Sequence, residues 1–171
     1  MVRTTVLPRR PAGAWRLAAR APIWLYRARL GWLLGNRVLM LGHTGRVSGR
    51  PRRAVLEVIG RHRDVYLVAS GFGHRAQWLA NVSCEPRVTV SVAGRTLLAT
   101  ATVLSQDAAA EVLVAYAARH PRLAPRLMAM CGHAVDGSPD SYRRLGDDIP
   151  VVALSTRLDH GDESEESKER D

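Results

Sequence analysis

The sequence predicts one α+β domain in which peripheral helices surround a small antiparallel β-barrel. Three observations support this class. The 171 residues are 46% hydrophobic, enough material for one core without disulfides or a structural metal. The predicted strands follow one another with a single short helix inserted, which favours antiparallel pairing over βαβ alternation. Closing the sheet into a barrel removes exposed strand edges.

The strands are predicted from short apolar runs and from residues that alternate with period two. The clearest pair is "RVTVSV" and "TLLATATVL", joined by Ala93-Gly94-Arg95 as a hairpin. The complete set of predicted strands covers residues 37–43, 53–59, 65–70, 87–92, 96–104 and 149–155.

Helices are expected on both sides of the strand region. Apolar spacing of three and four predicts an amphipathic helix over residues 13–35, within an N-terminal segment 1–36 that precedes a barrel domain at 37–158. Ser105 can cap a helix that begins at Gln106. The remaining expectations are a short helix at 76–82, helical structure from Pro121 to near Gly132, and a polar loop over 132–148.

The charge of the chain is divided unevenly along its length. The net charge is +9, but residues 159–171 carry seven acids and two bases and predict a disordered acidic tail. The rest of the chain holds 23 bases against 9 acids, and the only lysine is Lys168. A core rich in arginine, whose planar fork suits phosphates and carboxylates, indicates an anionic partner.

The strongest local signal is the basic loop, "GHTGRVSGRPRR" at residues 42–53. Its three glycines allow close backbone approach, and exposed amides in such a turn form an anion-binding concavity. Ser48 adds a hydroxyl, and the four arginines add charge. Composition alone leaves two alternatives open, an anion site and a hairpin tip that faces water. The pattern is neither a P-loop nor a dinucleotide-binding turn.

A second loop, "VASGFGH", ends the strand that contains Ser70 and leads into "QWLANV". Trp78 and Asn81 are three residues apart and therefore share a helix face. A flat ring could lie against the glycine loop and accept a hydrogen bond from Ser70. The alternative is that Trp78 belongs to the core and Asn81 caps a helix.

Together these motifs resemble the deazaflavin-dependent nitroreductases, split-β-barrel oxidoreductases that use coenzyme F420. The resemblance runs from "LMLGHTGRVSGRPRR" through "LVASGFG" and "QWLANVSCEPRVTVSVAGRTLLATA" and returns at "IPVVAL". It implies an antiparallel split β-barrel and an enzyme that transfers hydride from reduced F420 to an organic acceptor. The implied cofactor-binding residues are Arg46, Val47, Ser48, Gly49, Arg52, Arg53, Val68, Ala69, Ser70, Gly71, Gln77, Trp78 and Asn81.

The resemblance also implies where the chemistry occurs. The deazaflavin ring carries the hydride, and the protein orients it and stabilises the product. The implied catalytic residues are Ser70, at the reacting edge of the ring, and Glu57 and His120, which stand where family members have aromatic residues. Val47 and Gly71 replace basic residues of the family pattern. We therefore expect a quinone-like or other conjugated lipophilic acceptor rather than a nitro compound.

Several alternatives stay open at this point. The cofactor could be FMN, or the barrel could carry a cofactor without catalysis. Tryptophans interleaved with arginines in residues 1–36 suit either peripheral contact with the inner face of the membrane or packing on the barrel. The chain has no secretory signal, no apolar run long enough to span a membrane and no metal-ligand spacing, so we expect a cytoplasmic protein without metal. Nucleic acid binding is not expected, and a homodimer is left open.

Overall fold

The computed structural model of the chain describes residues 37–156. Six strands form a closed barrel in the order β1-β2-β3-β6-β5-β4, and every neighbouring pair is antiparallel. The strands are β1 (Val38–Thr44), β2 (Pro51–His62), β3 (Val65–Ala69), β4 (Arg87–Val92), β5 (Arg95–Val103) and β6 (Val151–Ser155). The predicted α+β barrel with peripheral helices is thereby confirmed.

Alternation along the strands builds the interior of the barrel. In β1 the side chains of Leu39, Leu41 and His43 point inward, whereas their neighbours point outward. Val88, Val90 and Val92 do the same in β4. At the β4–β5 hairpin Ala93 and Gly94 both have positive φ, as a two-residue turn between right-twisted strands requires.

Within the described residues, four helices lie outside the barrel: α1 (Gln77–Cys84), α2 (Gln106–Arg119), α3 (Ala124–Met130) and α4 (Pro139–Arg143). The Ser105 hydroxyl accepts a hydrogen bond from the Ala108 backbone N–H, which confirms the predicted cap of α2. The last three helices cover the outer faces of β2, β3 and β6 and enclose a second hydrophobic core around Ile59, Leu113 and Tyr116.

The expectation of a loop over residues 132–148 was wrong in its second half. Ser138 caps α4, Pro139 occupies its first turn, and a 3₁₀ turn follows at Arg144–Gly146. Tyr142 and Leu145 are buried in the second core. These two residues anchor the second half of the 132–148 segment. Its composition is otherwise polar and gave no sign of a helix, because the helix depends on packing against α2.

Strand β2 is also longer than the predicted 53–59. It continues to His62 through a β-bulge between Val58 and Gly60. The predicted helix at 13–35 and the predicted acidic tail at 159–171 lie outside the described residues. Within residues 37–156 no helix has both the length and the apolar character needed to cross a membrane.

Candidate active site

The basic loop joins β1 to β2 at one end of the barrel. The Gly45 backbone N–H donates to the Arg50 carbonyl (2.9 Å), and the Gly49 N–H donates to the Gly45 carbonyl (2.8 Å). Gly49 has a φ of 62°, a conformation that glycine adopts without strain. These bonds fold the loop into a compact turn whose tip is open to solvent, with Val47 90% exposed.

Helix α1 fixes the direction of Arg46 within this loop. One guanidinium nitrogen of Arg46 donates to Asn81 Oδ1 (3.0 Å) and to Gln77 Oε1 (3.1 Å). The Arg46 backbone N–H donates to the same Asn81 oxygen (3.1 Å). The guanidinium is thus ordered by neutral amides, which leave its positive charge uncompensated.

A cavity of about 700 Å³ opens between the basic loop and α1, a volume typical of cofactor sites. Among the described residues that line it there is no carboxylate, so its net charge is positive. The lining residues are His43, Gly45, Arg46, Val47, Ser48, Arg52, Arg53, Ala54, Phe72, Ala76, Gln77, Trp78 and Asn81.

A second cavity of about 310 Å³ adjoins the first. Ala54, Phe72 and Trp78 line both cavities and form the boundary between them. The second cavity is mainly apolar, with walls from β2, α2 and α3, and contains the side chains of Glu57 and Cys131. It therefore offers an apolar compartment beside the cationic one.

Glu57 is held by a buried tyrosine in this second cavity. The Tyr116 hydroxyl, on a side chain only 2% exposed, donates to Glu57 Oε1 (2.9 Å). Burial raises the pKa of Tyr116, and its hydrogen bond to Glu57 acts in the same direction. Tyr116 consequently stays protonated and keeps one carboxylate oxygen occupied, which leaves Glu57 Oε2 to interact with a ligand.

Among the described residues that line the second cavity, Cys131 is the third titratable group, after Glu57 and Tyr116. Burial raises the pKa of its thiol, and the nearby charge of Glu57 adds to that effect. The thiol therefore remains neutral at physiological pH. A Cβ atom at Gly71 would lie 2.5 Å from the Cys131 sulfur, so glycine at this position leaves the thiol its place.

Ser70 lies behind the cavities rather than in them. Its side chain is 1% exposed, and its hydroxyl donates to the Gly73 carbonyl (2.7 Å). This bond fixes the loop that brings Phe72 to the boundary between the cavities. The predicted catalytic role of Ser70 stays a prediction, and its position identifies the loop through which it would act.

The structure brings most of the other predicted site residues to one end of the barrel. Arg46, Val47, Ser48, Arg52, Arg53, Gln77, Trp78 and Asn81 line the larger cavity, whereas Glu57, Ala69 and Gly71 line the smaller one. Gly49 shapes the loop, and the side chain of Val68 is fully buried in the barrel core.

His120 ends α2 and lines neither cavity. Its ring is tilted against that of Tyr116, with 4.9 Å between the centroids. A role for His120 would therefore be exerted through Tyr116, and it stays a prediction.

Four residues on which the site depends were not predicted from the sequence: His43, Phe72, Tyr116 and Cys131. Tyr116 lies on α2, and its hydroxyl donates to a carboxylate 59 positions away. His43 lay inside the quoted loop without an assigned role. For His43 and Tyr116 the available signal was a polar atom at a position whose spacing predicts burial, because buried polar groups require partners.

Comparison with known proteins supports the resemblance to F420-dependent oxidoreductases. The model of a family described as F420H(2)-dependent quinone reductase matches residues 19–130, about two thirds of the chain. This range includes the basic loop, α1, Glu57 and Tyr116. No curated protein matches the chain closely enough to count as a relative.

Solved structures share the fold at low sequence identity. An F420-H2 dependent reductase (FDR-A) matches with a TM-score of 0.50 and 19% identity, over 71% of this chain and 96% of that one. An FMN-binding, pyridoxamine 5'-phosphate oxidase-related protein from Nostoc punctiforme PCC 73102 matches with a TM-score of 0.50 and 16% identity, over 85% and 81% of the two chains. These matches establish the split-barrel fold alone.

Proposed function

Because this chain belongs to the F420H(2)-dependent quinone reductase family, we propose that it binds reduced F420 in the larger cavity and passes its hydride to an acceptor in the smaller one. The observation that carries this proposal is the pairing of the two cavities, one cationic and free of carboxylates among its described lining, the other apolar and directly adjacent. The acceptor we propose is a quinone or another conjugated lipophile.

The larger cavity fits an anionic cofactor with a flat ring. Arg46, Ser48, Gly49 and Arg52 would hold its anionic groups, since guanidinium and exposed amide donors suit phosphates and carboxylates. Trp78 provides an aromatic surface at the boundary, beside the apolar cavity. Cofactors with fewer anionic groups, such as FMN, would make fewer of these contacts.

When bound, the reduced deazaflavin supplies the hydride. The protein contributes an apolar compartment in which the acceptor would lie close to the ring, and such positioning alone lowers the barrier substantially. Apolar side chains from α2 and α3 limit the access of water to this compartment.

Glu57 would act on the acceptor. Reduction of a quinone consumes one hydride and one proton from solvent and converts its two carbonyl oxygens into the two hydroxyls of a hydroquinone, one of which would face Glu57. Glu57 Oε2 is available to accept a hydrogen bond from that hydroxyl because Tyr116 occupies Oε1. The carboxylate would therefore stabilise the product side of the reaction and orient the acceptor.

Single-turnover kinetics test the proposal. Protein loaded with reduced F420 is mixed with a short-chain quinone, and oxidation of the cofactor is followed by absorbance. We expect Glu57→Gln to slow this step by about tenfold or more, because a neutral amide accepts a hydrogen bond from the product hydroxyl more weakly than a carboxylate does. The affinity for the cofactor should not change.

Glu111→Gln, which alters an exposed carboxylate on α2, is the control and should retain the wild-type rate. If the wild-type protein binds reduced F420 but never oxidises it with any acceptor, the protein is a cofactor carrier and the proposed activity is wrong.

A further inference from the structure

We propose that His43 is a positioning residue whose neutral imidazole, acting through Asn81, holds Arg46 in the direction required to bind an anion. The inference rests on the proposed function only for the identity of that anion. His43 is the last inward-facing residue of β1, and it lines the larger cavity.

The orientation of the Asn81 amide is determined by its partners. Asn81 Oδ1 accepts hydrogen bonds from the backbone N–H and the guanidinium of Arg46. The amide nitrogen must therefore be the atom on the other side, where it lies 3.2 Å from His43 Nδ1. Because an amide nitrogen only donates, His43 Nδ1 must accept, and the proton of the neutral ring resides on Nε2.

Both members of this contact are removed from water. His43 is 8% exposed and Asn81 is 6% exposed. Breaking the hydrogen bond would leave a buried amide donor without its partner, which is costly in a protein interior. Hydrogen bonds thus connect His43 in the barrel interior, through Asn81, to the exposed guanidinium of Arg46.

The surroundings of His43 favour its neutral form. Burial lowers the pKa of His43, a hydrogen bond to the Thr44 backbone opposes that effect, and the charge of Arg52 lowers it further. The charged side chains around His43 come from the basic loop, β2 and β4. Arg46, Arg52 and Arg53 line the larger cavity with His43, and Arg52, Arg53 and Arg87 line a third cavity of about 320 Å³ that His43 also borders. The described side chains that line these cavities include no carboxylate that would favour a charged imidazole ring.

Protonation of His43 would break its hydrogen bond to Asn81. Nδ1–H would then face the Asn81 amide N–H₂, and the amide would have to turn and withdraw its oxygen from Arg46. Acid should consequently weaken the binding of an anion. If His43 contacted the anion directly, its added positive charge would strengthen anion binding in acid. The predicted loss of affinity in acid therefore distinguishes a positioning role from direct contact.

Two variants of similar shape test the role. His43→Asn places an amide oxygen where Nδ1 accepts, whereas His43→Leu provides no acceptor. We expect the leucine variant to bind F420 about two- to tenfold more weakly at neutral pH, because a freed Arg46 must be ordered on binding. The asparagine variant should bind within about twofold of wild type, and the unfolding midpoints of both verify that they are folded.

The pH dependence supplies a readout that a purely structural role would not change. Between about pH 7.5 and about pH 5, wild type should lose affinity for F420, and neither variant should show that loss. Equal affinity of the folded leucine variant and wild type, or a wild-type affinity that rises with acid, would overturn the proposal.

Nuclear magnetic resonance of the imidazole nitrogens tests the geometry without any cofactor. At neutral pH, His43 in the free protein should carry its proton on Nε2 and have an unprotonated Nδ1. The reverse tautomer would refute the proposed hydrogen bonds even if F420 binds. If the expected tautomer is present but the wild-type protein does not bind F420, the proposed function is wrong, whereas the proposed hydrogen bonds from His43 through Asn81 to Arg46 still hold.

Discussion

The substitution Arg46→Ala tests the contact on which the proposed cofactor site most depends. In the structure this guanidinium is already ordered by Asn81 and Gln77, so binding an anion does not require further restriction of the side chain. A hydrogen bond to a charged group contributes about 1.5–3 kcal/mol. Since about 1.4 kcal/mol corresponds to a factor of ten, the Kd for F420 should rise about 10- to 150-fold.

The free energy of unfolding should change much less. The backbone N–H of residue 46 still donates to Asn81 Oδ1 after the substitution, so this buried oxygen keeps a partner. We expect a loss of about 1 kcal/mol or less, the contribution of an ordinary hydrogen bond. Arg46→Lys should bind F420 with intermediate affinity, because lysine retains the charge but lacks the planar fork.

The assay is fluorescence titration of F420 into each variant at low ionic strength, with thermal unfolding measured in parallel. Arg95→Ala is the matched control, since it removes the same charge from an exposed position at the start of β5, at the opposite end of the barrel. If Arg46→Ala and Arg95→Ala weaken binding equally, net charge rather than the anchored guanidinium governs affinity, and the reasoning fails.

Three further predictions concern other parts of the chain. Ser70→Ala should leave the Kd for F420 within about twofold but slow its single-turnover oxidation about tenfold, because the loop bearing Phe72 loses its anchor; an unchanged rate would refute this. Gly146→Ala places a methyl group 2.6 Å from the Gln106 carbonyl and should lower the free energy of unfolding by about 1–3 kcal/mol in chemical denaturation, an effect that a wild-type midpoint would disprove. If residues 1–36 contact membranes, the 171-residue protein should sediment with anionic liposomes, less so at high salt, and a chain beginning at residue 35 should not sediment. Failure of the 171-residue protein to sediment would refute the proposed membrane contact.

Much of the barrel could be predicted because its signals are local. Alternation in β4 and the turn at Ala93-Gly94 specify a hairpin within a few residues, and every predicted strand of the described region exists. The basic loop could be recognised as a candidate anion site for the same reason, since charge and glycine spacing are visible in one short segment, and anion binding there stays a prediction.

The features that could not be predicted depend on contacts between distant segments. His43 meets Asn81 across 38 positions, and Tyr116 meets Glu57 across 59. Neither partner is defined by its neighbours in sequence. Ser70 shows the converse, because a serine at a strand end suits a ligand contact and a loop anchor equally well, and its hydrogen bond to the Gly73 carbonyl is visible only in the folded chain.

The most direct test of the central claim compares F420 with FMN in equilibrium titrations of the full-length protein at low and at high salt. A cavity built around uncompensated arginines should prefer the cofactor with more anionic groups, and screening should reduce that preference. We predict a lower Kd for F420 than for FMN at low salt and a smaller ratio at high salt. Equal affinities that do not respond to salt would contradict the assignment of this cavity to F420.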